Sequence, residues 1–184
     1  MFIVVGLMYC RWTGAATLAF LLFIAAACGD WLDGYLARTR GLVSNFGKLM
    51  DAMADKIMVM GIVIALVGEQ KIWVSLAVIT LCREFLVTGM RMVAATKGVV
   101  VSADNHGKTK TVTQLIALGF FLGAPMVSRD GASLFGWDAS RFAEKVDAVG
   151  FAVFVAGTLL SVWSGFRYVF KNARLVFGDD VRSP

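Results

Sequence analysis

The chain alternates long apolar runs with short polar breaks. A brief apolar opening, Phe2 to Tyr9, is followed by five longer runs over residues 15–38, 46–68, 72–95, 111–128 and 146–170. Runs near 20 residues are what a helix needs to cross roughly 30 Å of hydrocarbon at about 1.5 Å per residue. Membrane-spanning barrels would instead show alternating segments of about ten residues. The pattern therefore predicts an all-α, polytopic membrane helix bundle of about six transmembrane helices in one domain, 1–184. The opening run, 2–9, is too short to span and has neither a basic leader nor a cleavage site. It reads as the second half of a truncated first helix. Residues 171–184 read as a polar cytoplasmic tail, and the mixed-charge stretch Arg129 to Lys145 as a solvated outer loop.

Composition agrees with the pattern. Of 184 residues, 58% are hydrophobic and 17% charged, where a soluble domain carries about a quarter charged. Mean hydropathy is +0.73. A water-soluble globule is excluded. The net charge of +5 in so apolar a chain points to a lipid bilayer surface or a phosphorylated substrate, not to nucleic acid. All 18 Lys and Arg except Arg11, Lys71, Arg129, Arg141 and Lys145 fall on the side of the loop near 39–45. The excess of basic residues places that side in the cytoplasm. Cys10, Cys28 and Cys82 show no metal or disulfide spacing and read as small buried hydrophobes. His106, the single histidine, is not needed as a base.

The scarce acids are concentrated. Asp30 and Asp33 lie three apart near the end of one apolar helix, and Asp51 and Asp55 four apart near the head of the next. Each spacing puts a pair on one helical face. A short connection makes the two helices antiparallel neighbours, so the pairs can face each other. Four converging carboxylates near a membrane repel one another unless divalent cations are present. Hard oxygen donors suit Mg²⁺ or Mn²⁺, and a site this rich in carboxylates can hold two ions, an arrangement suited to displacement at phosphorus. Gly34, Ala37 and Gly47 leave the backbone open beside the acids, either to a ligand or to close helix packing. Arg38 adds a cation there.

A second polar stretch follows at Arg83-Glu84-Phe85-Leu86-Val87-Thr88-Gly89, with Arg91 two turns beyond Arg83 and then Gly107-Lys108-Thr109-Lys110-Thr111. Arginines inside a membrane helix are expensive and usually functional. Two of them with a lysine above a metal site suit a phosphate-bearing acceptor, although Arg91 and Lys108 also fit membrane topology or lipid-headgroup contact.

The run Asp33-Gly34-x2-Ala37-Arg38-x8-Gly47-x3-Asp51-x3-Asp55, with Asp30 three residues before it, resembles without gaps the signature of the CDP-alcohol phosphatidyltransferases. The REFLVTGMR and GKTKT strings resemble the bacterial phosphatidylglycerophosphate synthase branch of that family. The resemblance is strong from about Asp30 to Gln114 and rests on hydrophobic pattern elsewhere. It implies a six-helix membrane enzyme, a homodimer of the bacterial inner membrane, with a polar cavity facing the cytoplasm. Asp30, Asp33, Asp51 and Asp55 would bind two divalent metals, with Asp55 the catalytic base. Gly34, Ala37, Arg38 and Gly47 would line the CDP site. Arg83, Arg91 and Lys108 would hold the acceptor's phosphate. The implied reaction takes CDP-diacylglycerol and sn-glycerol 3-phosphate to phosphatidylglycerol phosphate and CMP. Family members using serine, an inositol phosphate or phosphatidylglycerol as acceptor are the near alternatives. A divalent-cation transporter is a more distant one, which the apolar run from Ile57 to Gly68 beyond Asp55 disfavours.

Overall fold

In a computed structural model the chain forms six α-helices among the described residues: α1 Phe2–Tyr9, α2 Ala15–Arg40, α3 Asn45–Gly68, α4 Val74–Thr96, α5 Asn105–Pro125 and α6 Ser140–Phe177, with a π-helical turn, Met126–Asp130, closing α5. The structure describes the backbone of residues 2–40, 45–96, 105–132 and 139–177, and within these the side chains of 2–29, 56–94, 111–132 and 139–171. The expected helical bundle is what forms, and the described residues contain no strand.

The apolar side chains sort in a way water would not allow. Phe23, Ile62, Val63, Leu66, Leu118, Phe121 and Phe154 are buried between helices. Yet Phe170 is 76% exposed, Phe85 68% and Leu159 65%, with Ile64, Ile116 and Phe166 also exposed. A surface this apolar is a liability in water and is appropriate to lipid. Among the described residues, two helical stretches are long and apolar enough to cross a membrane, Thr111–Asp130 and Ser140–Lys171. The three cysteines differ from expectation: Cys10, Cys28 and Cys82 are free but exposed. In a bilayer the outer surface is as apolar as the core, so a small hydrophobe need not be buried.

Helix α6 is the spine, and small residues let its neighbours approach. A Cβ on Gly150 would stand 2.9 Å from Phe120 Cβ on α5, and one on Gly157 3.2 Å from Thr113 Cγ2. Between these glycines Phe154 meets the Phe121 ring edge-on at 6.5 Å. On the α4 side the Thr80 and Thr158 hydroxyls share a hydrogen bond of 3.2 Å in the buried interior, satisfying groups that lipid cannot.

One end of the bundle is tied by polar contacts. Pro125 has no N–H, so the carbonyl four residues back, that of Phe121, loses its helical donor. Lys71 Nζ donates to it at 3.3 Å. The helix then loosens into the π-turn, and Ser128 Oγ bonds back to the Ala124 carbonyl at 3.1 Å. The turn delivers Asp130 to the start of α2, where its carboxylate accepts from Gly14 N–H (3.1 Å), Thr17 N–H (2.7 Å) and Thr17 Oγ1–H (2.7 Å). The two N–H groups are orphan backbone donors of a helix N-terminus, and Gly14 reaches the turn with φ +97°. Asp130 is 3% exposed, so the expectation of a solvated loop beginning at Arg129 does not hold there. The helix persists past the last apolar residue because a cap replaces water as the partner of its charge.

Helix bounds also exceed the apolar runs. Helix α5 starts at Asn105 rather than 111, and α6 covers 140–177 rather than 146–170. Backbone hydrogen bonding continues through the polar residues that flank the apolar runs. Residues 178–184 of the expected tail lie outside the described residues.

Candidate active site

The acidic signature falls on two continuous helices. Asp30, Asp33, Gly34, Ala37 and Arg38 lie in the last part of α2, and Gly47, Asp51 and Asp55 in the first half of α3. At about 100° per residue, Asp30 and Asp33 are separated by about 60° around α2, and Asp51 and Asp55 by about 40° around α3. Helical backbone through both segments is the condition the spacing argument needs. The side chains of these eight residues, and that of Lys108 on α5, lie outside the described residues. Among the described side chains no group of three or more His, Cys, Asp or Glu could hold a metal. The four aspartates form a donor set that is oxygen-only, anionic and paired by helical register on each helix, the kind of ligand chemistry that Mg²⁺ or Mn²⁺ prefers.

The arginines of α4 are seen in detail. Arg83 is anchored to α6: its Nε donates to the Ser161 carbonyl at 2.9 Å, and its Nη1 pairs with Glu84 Oε1 at 2.9 Å. A Cβ on Gly165 would stand 3.1 Å from Arg83 Cγ and 3.3 Å from its Nε, so Gly165 is the notch in which the side chain lies. Both members of the Arg83–Glu84 pair are 12% exposed at the side chain. Two turns toward the aspartate end, Arg91 lies over the Tyr168 ring, Cζ to centroid 5.5 Å, beside a small cluster of Val87, Met90, Ala94 and Tyr168. The structure thus brings Arg83 and Arg91 to one seam, between α4 and α6.

Sequence reading missed the α6 half of that seam. Ser161, Gly165 and Tyr168 hold the two arginines, and the signal that could have found them is the recurrence of small residues Gly150, Gly157, Ser161 and Gly165 along one face of α6. Glycine spaced this way in an apolar helix marks close contact, here with a charged neighbour.

Known proteins share much of this sequence. The CDP-alcohol phosphatidyltransferase profile matches residues 1–163. A Bacillus subtilis protein named CDP-diacylglycerol--glycerol-3-phosphate 3-phosphatidyltransferase is 45% identical over 102 residues, covering 55% of this chain and 53% of its own. A Treponema pallidum protein of the same name is 36% identical over 151 residues, 81% of this chain and 67% of its own. One from Rickettsia typhi is 30% identical over 175 residues, 95% and 90% of the two chains. The match spans about half the length of the first of these relatives. A profile running through both acidic helices, the α4 arginines and most of α6 leaves one conclusion: the chain belongs to the CDP-alcohol phosphatidyltransferase family.

Proposed function

We propose that the chain transfers a phosphatidyl group from CDP-diacylglycerol to the primary hydroxyl of sn-glycerol 3-phosphate, releasing CMP and forming phosphatidylglycerol phosphate. The carrying observation is the full acidic signature on helical backbone of α2 and α3, joined to relatives whose names state this reaction. The anchored arginines on α4 favour an acceptor that itself bears a phosphate over serine, since Glu84 balances one of their two positive charges and a phosphate would balance the other.

In this reading Asp30, Asp33, Asp51 and Asp55 hold two divalent cations, Mg²⁺ or Mn²⁺. The bound ions would neutralise the diphosphate and favour departure of CMP. Gly34, Ala37, Arg38 and Gly47 seat the cytidine diphosphate. Arg83, Arg91 and Lys108 orient the acceptor phosphate, which places its free primary hydroxyl toward the diacylglycerol-linked phosphorus. Asp55 takes the hydroxyl proton as the new P–O bond forms and the bond to CMP breaks. The family is metal-dependent and membrane-associated. For this chain we place the helices across a bacterial inner membrane, as one domain, with the aspartate end toward the cytoplasm, and as a homodimer.

The test is CMP release by purified protein in mixed micelles given CDP-diacylglycerol, acceptor and Mg²⁺. Release that requires glycerol 3-phosphate and stops with chelator is expected. Equal release with serine, an inositol phosphate or phosphatidylglycerol would overturn the acceptor assignment. No release with any acceptor would overturn the reaction.

A further inference from the structure

The end of the bundle opposite the aspartates carries a second polar centre. Ala15 and Asp30 are about 22 Å apart along α2, and it is the Ala15 end that meets the close of α1, the α3–α4 turn, the π-turn and the start of α6. The α3–α4 turn is a Schellman closure: Lys71 N–H bonds to the Leu66 carbonyl and Gln70 N–H to that of Val67, each at 3.0 Å, with Gln70 left-handed at φ 59°. Glu69 and Lys71, presented by that turn, line a cavity of about 430 Å³ together with Ser128, Arg129 and Asp147. A second hollow of about 560 Å³ shares Glu69 and Arg129 and adds Tyr9 and Arg11. Both volumes lie within the roughly 300–1,000 Å³ of small-molecule sites.

The charges there are mixed and unevenly used. Lys71 pairs with Asp147 at 2.9 Å. Arg129 is oriented by donating Nη2 to the Cys10 carbonyl at 2.9 Å. Burial pushes the Glu69 carboxyl above the usual glutamate range, although Lys71 and Arg129 pull the other way. An acid that burial disfavours in its charged form is one that a bound cation would stabilise. A site for a plain anion would not contain Glu69, and a site for a plain cation would not have Arg11 and Arg129 in its lining. The level in the membrane narrows the choice further. Tyr9 and Trp12 are each 56% exposed and Trp73 67%, a belt of amphipathic aromatics of the kind that sits at headgroup depth.

We propose that this end of the bundle binds the headgroup of a zwitterionic phospholipid carrying a primary ammonium, its phosphate on Arg11 and Arg129 and its ammonium on Glu69. Guanidinium groups match phosphate oxygens two at a time, and the ammonium replaces the solvation Glu69 loses to burial. The site is independent of the transfer reaction and lies on the other membrane face.

The experiment uses the full chain in detergent micelles and reads the thermal unfolding midpoint. Three additions are compared at equal concentration: phosphatidylethanolamine, phosphatidylglycerol and soluble phosphoethanolamine. Phosphatidylethanolamine at about tenfold over its dissociation constant should raise the midpoint by about 3–6 °C, more than the other two. Glu69→Gln should abolish the preference over phosphatidylglycerol. Arg11→Gln, at an exposed position where folding is not at stake, should reduce the response to both lipids. Equal shifts with the two lipids in the parent chain, an undiminished preference in Glu69→Gln, or a matching shift with phosphoethanolamine alone would each overturn the proposal.

Discussion

Removing the Asp130 carboxylate tests the connection between the π-turn and α2. Asp130→Ala deletes the acceptor of three hydrogen bonds, two of them at 2.7 Å, at a residue 3% exposed. Loss of a helix N-cap costs about 0.5–2 kcal/mol, and each hydrogen bond to a charged group is worth about 1.5–3 kcal/mol when isolated. The three share one carboxylate and are not additive. The Gly14 and Thr17 donors lie near the bundle end, where water reaches them after the change. A net loss of about 2–3 kcal/mol follows, which for a chain of this size lowers the unfolding midpoint by about 4–12 °C. Asp130→Asn keeps the shape and one acceptor oxygen and should lose about half as much. Thr17→Val removes one donor, and its effect should shrink when combined with Asp130→Ala, because the two share a bond. The assay is thermal unfolding of the purified chain in one detergent at one pH. An Asp130→Ala midpoint within about 1 °C of the parent, or strict additivity with Thr17→Val, would refute the cap as the tie that holds α2.

Four further outcomes are expected. Asp55→Asn should abolish CMP release while leaving helix content by circular dichroism unchanged; retained turnover would remove Asp55 as the base. Gly165→Val should push Arg83 off the Ser161 carbonyl and raise the glycerol 3-phosphate concentration for half-maximal rate by about tenfold, the equivalent of one charged hydrogen bond, with little change in maximal rate. Gly150→Ala, whose new methyl meets Phe120 Cβ at 2.9 Å, should destabilise by about 1–3 kcal/mol through overpacking, read as a lowered unfolding midpoint. Because burial raises the Glu69 pKa in the fold, its stabilising contribution is present below the unfolded value and is lost as pH rises through the folded one. The parent chain should therefore lose stability relative to Glu69→Gln as pH climbs from the acid side, and parallel pH profiles would contradict this.

The run lengths determined the helical class, because hydrocarbon thickness dictates how many apolar residues a span requires. The spacing of Asp30, Asp33, Asp51 and Asp55 likewise determined the candidate chemistry, because side-chain period along a helix is local and needs no tertiary information. The apolar pattern could not say which apolar face points inward: Phe23 and Phe154 are buried while Phe85 and Phe170 are exposed, and in lipid both environments accept the same residues. For the same reason Cys10, Cys28 and Cys82, expected in the core, lie exposed. Nor could it say that Arg83 and Arg91 lean on Ser161, Gly165 and Tyr168 about 80 residues later, since such contacts depend on how two helices are docked. Asp130 shows the same limit. Among mixed charges it looks like solvent-facing polarity, and only packing of the π-turn against the start of α2 makes it a buried cap. Sequence alone thus carries what is periodic and local, while the docking of α4, α5 and α6 decides which polar groups are structural ties and which remain for a ligand.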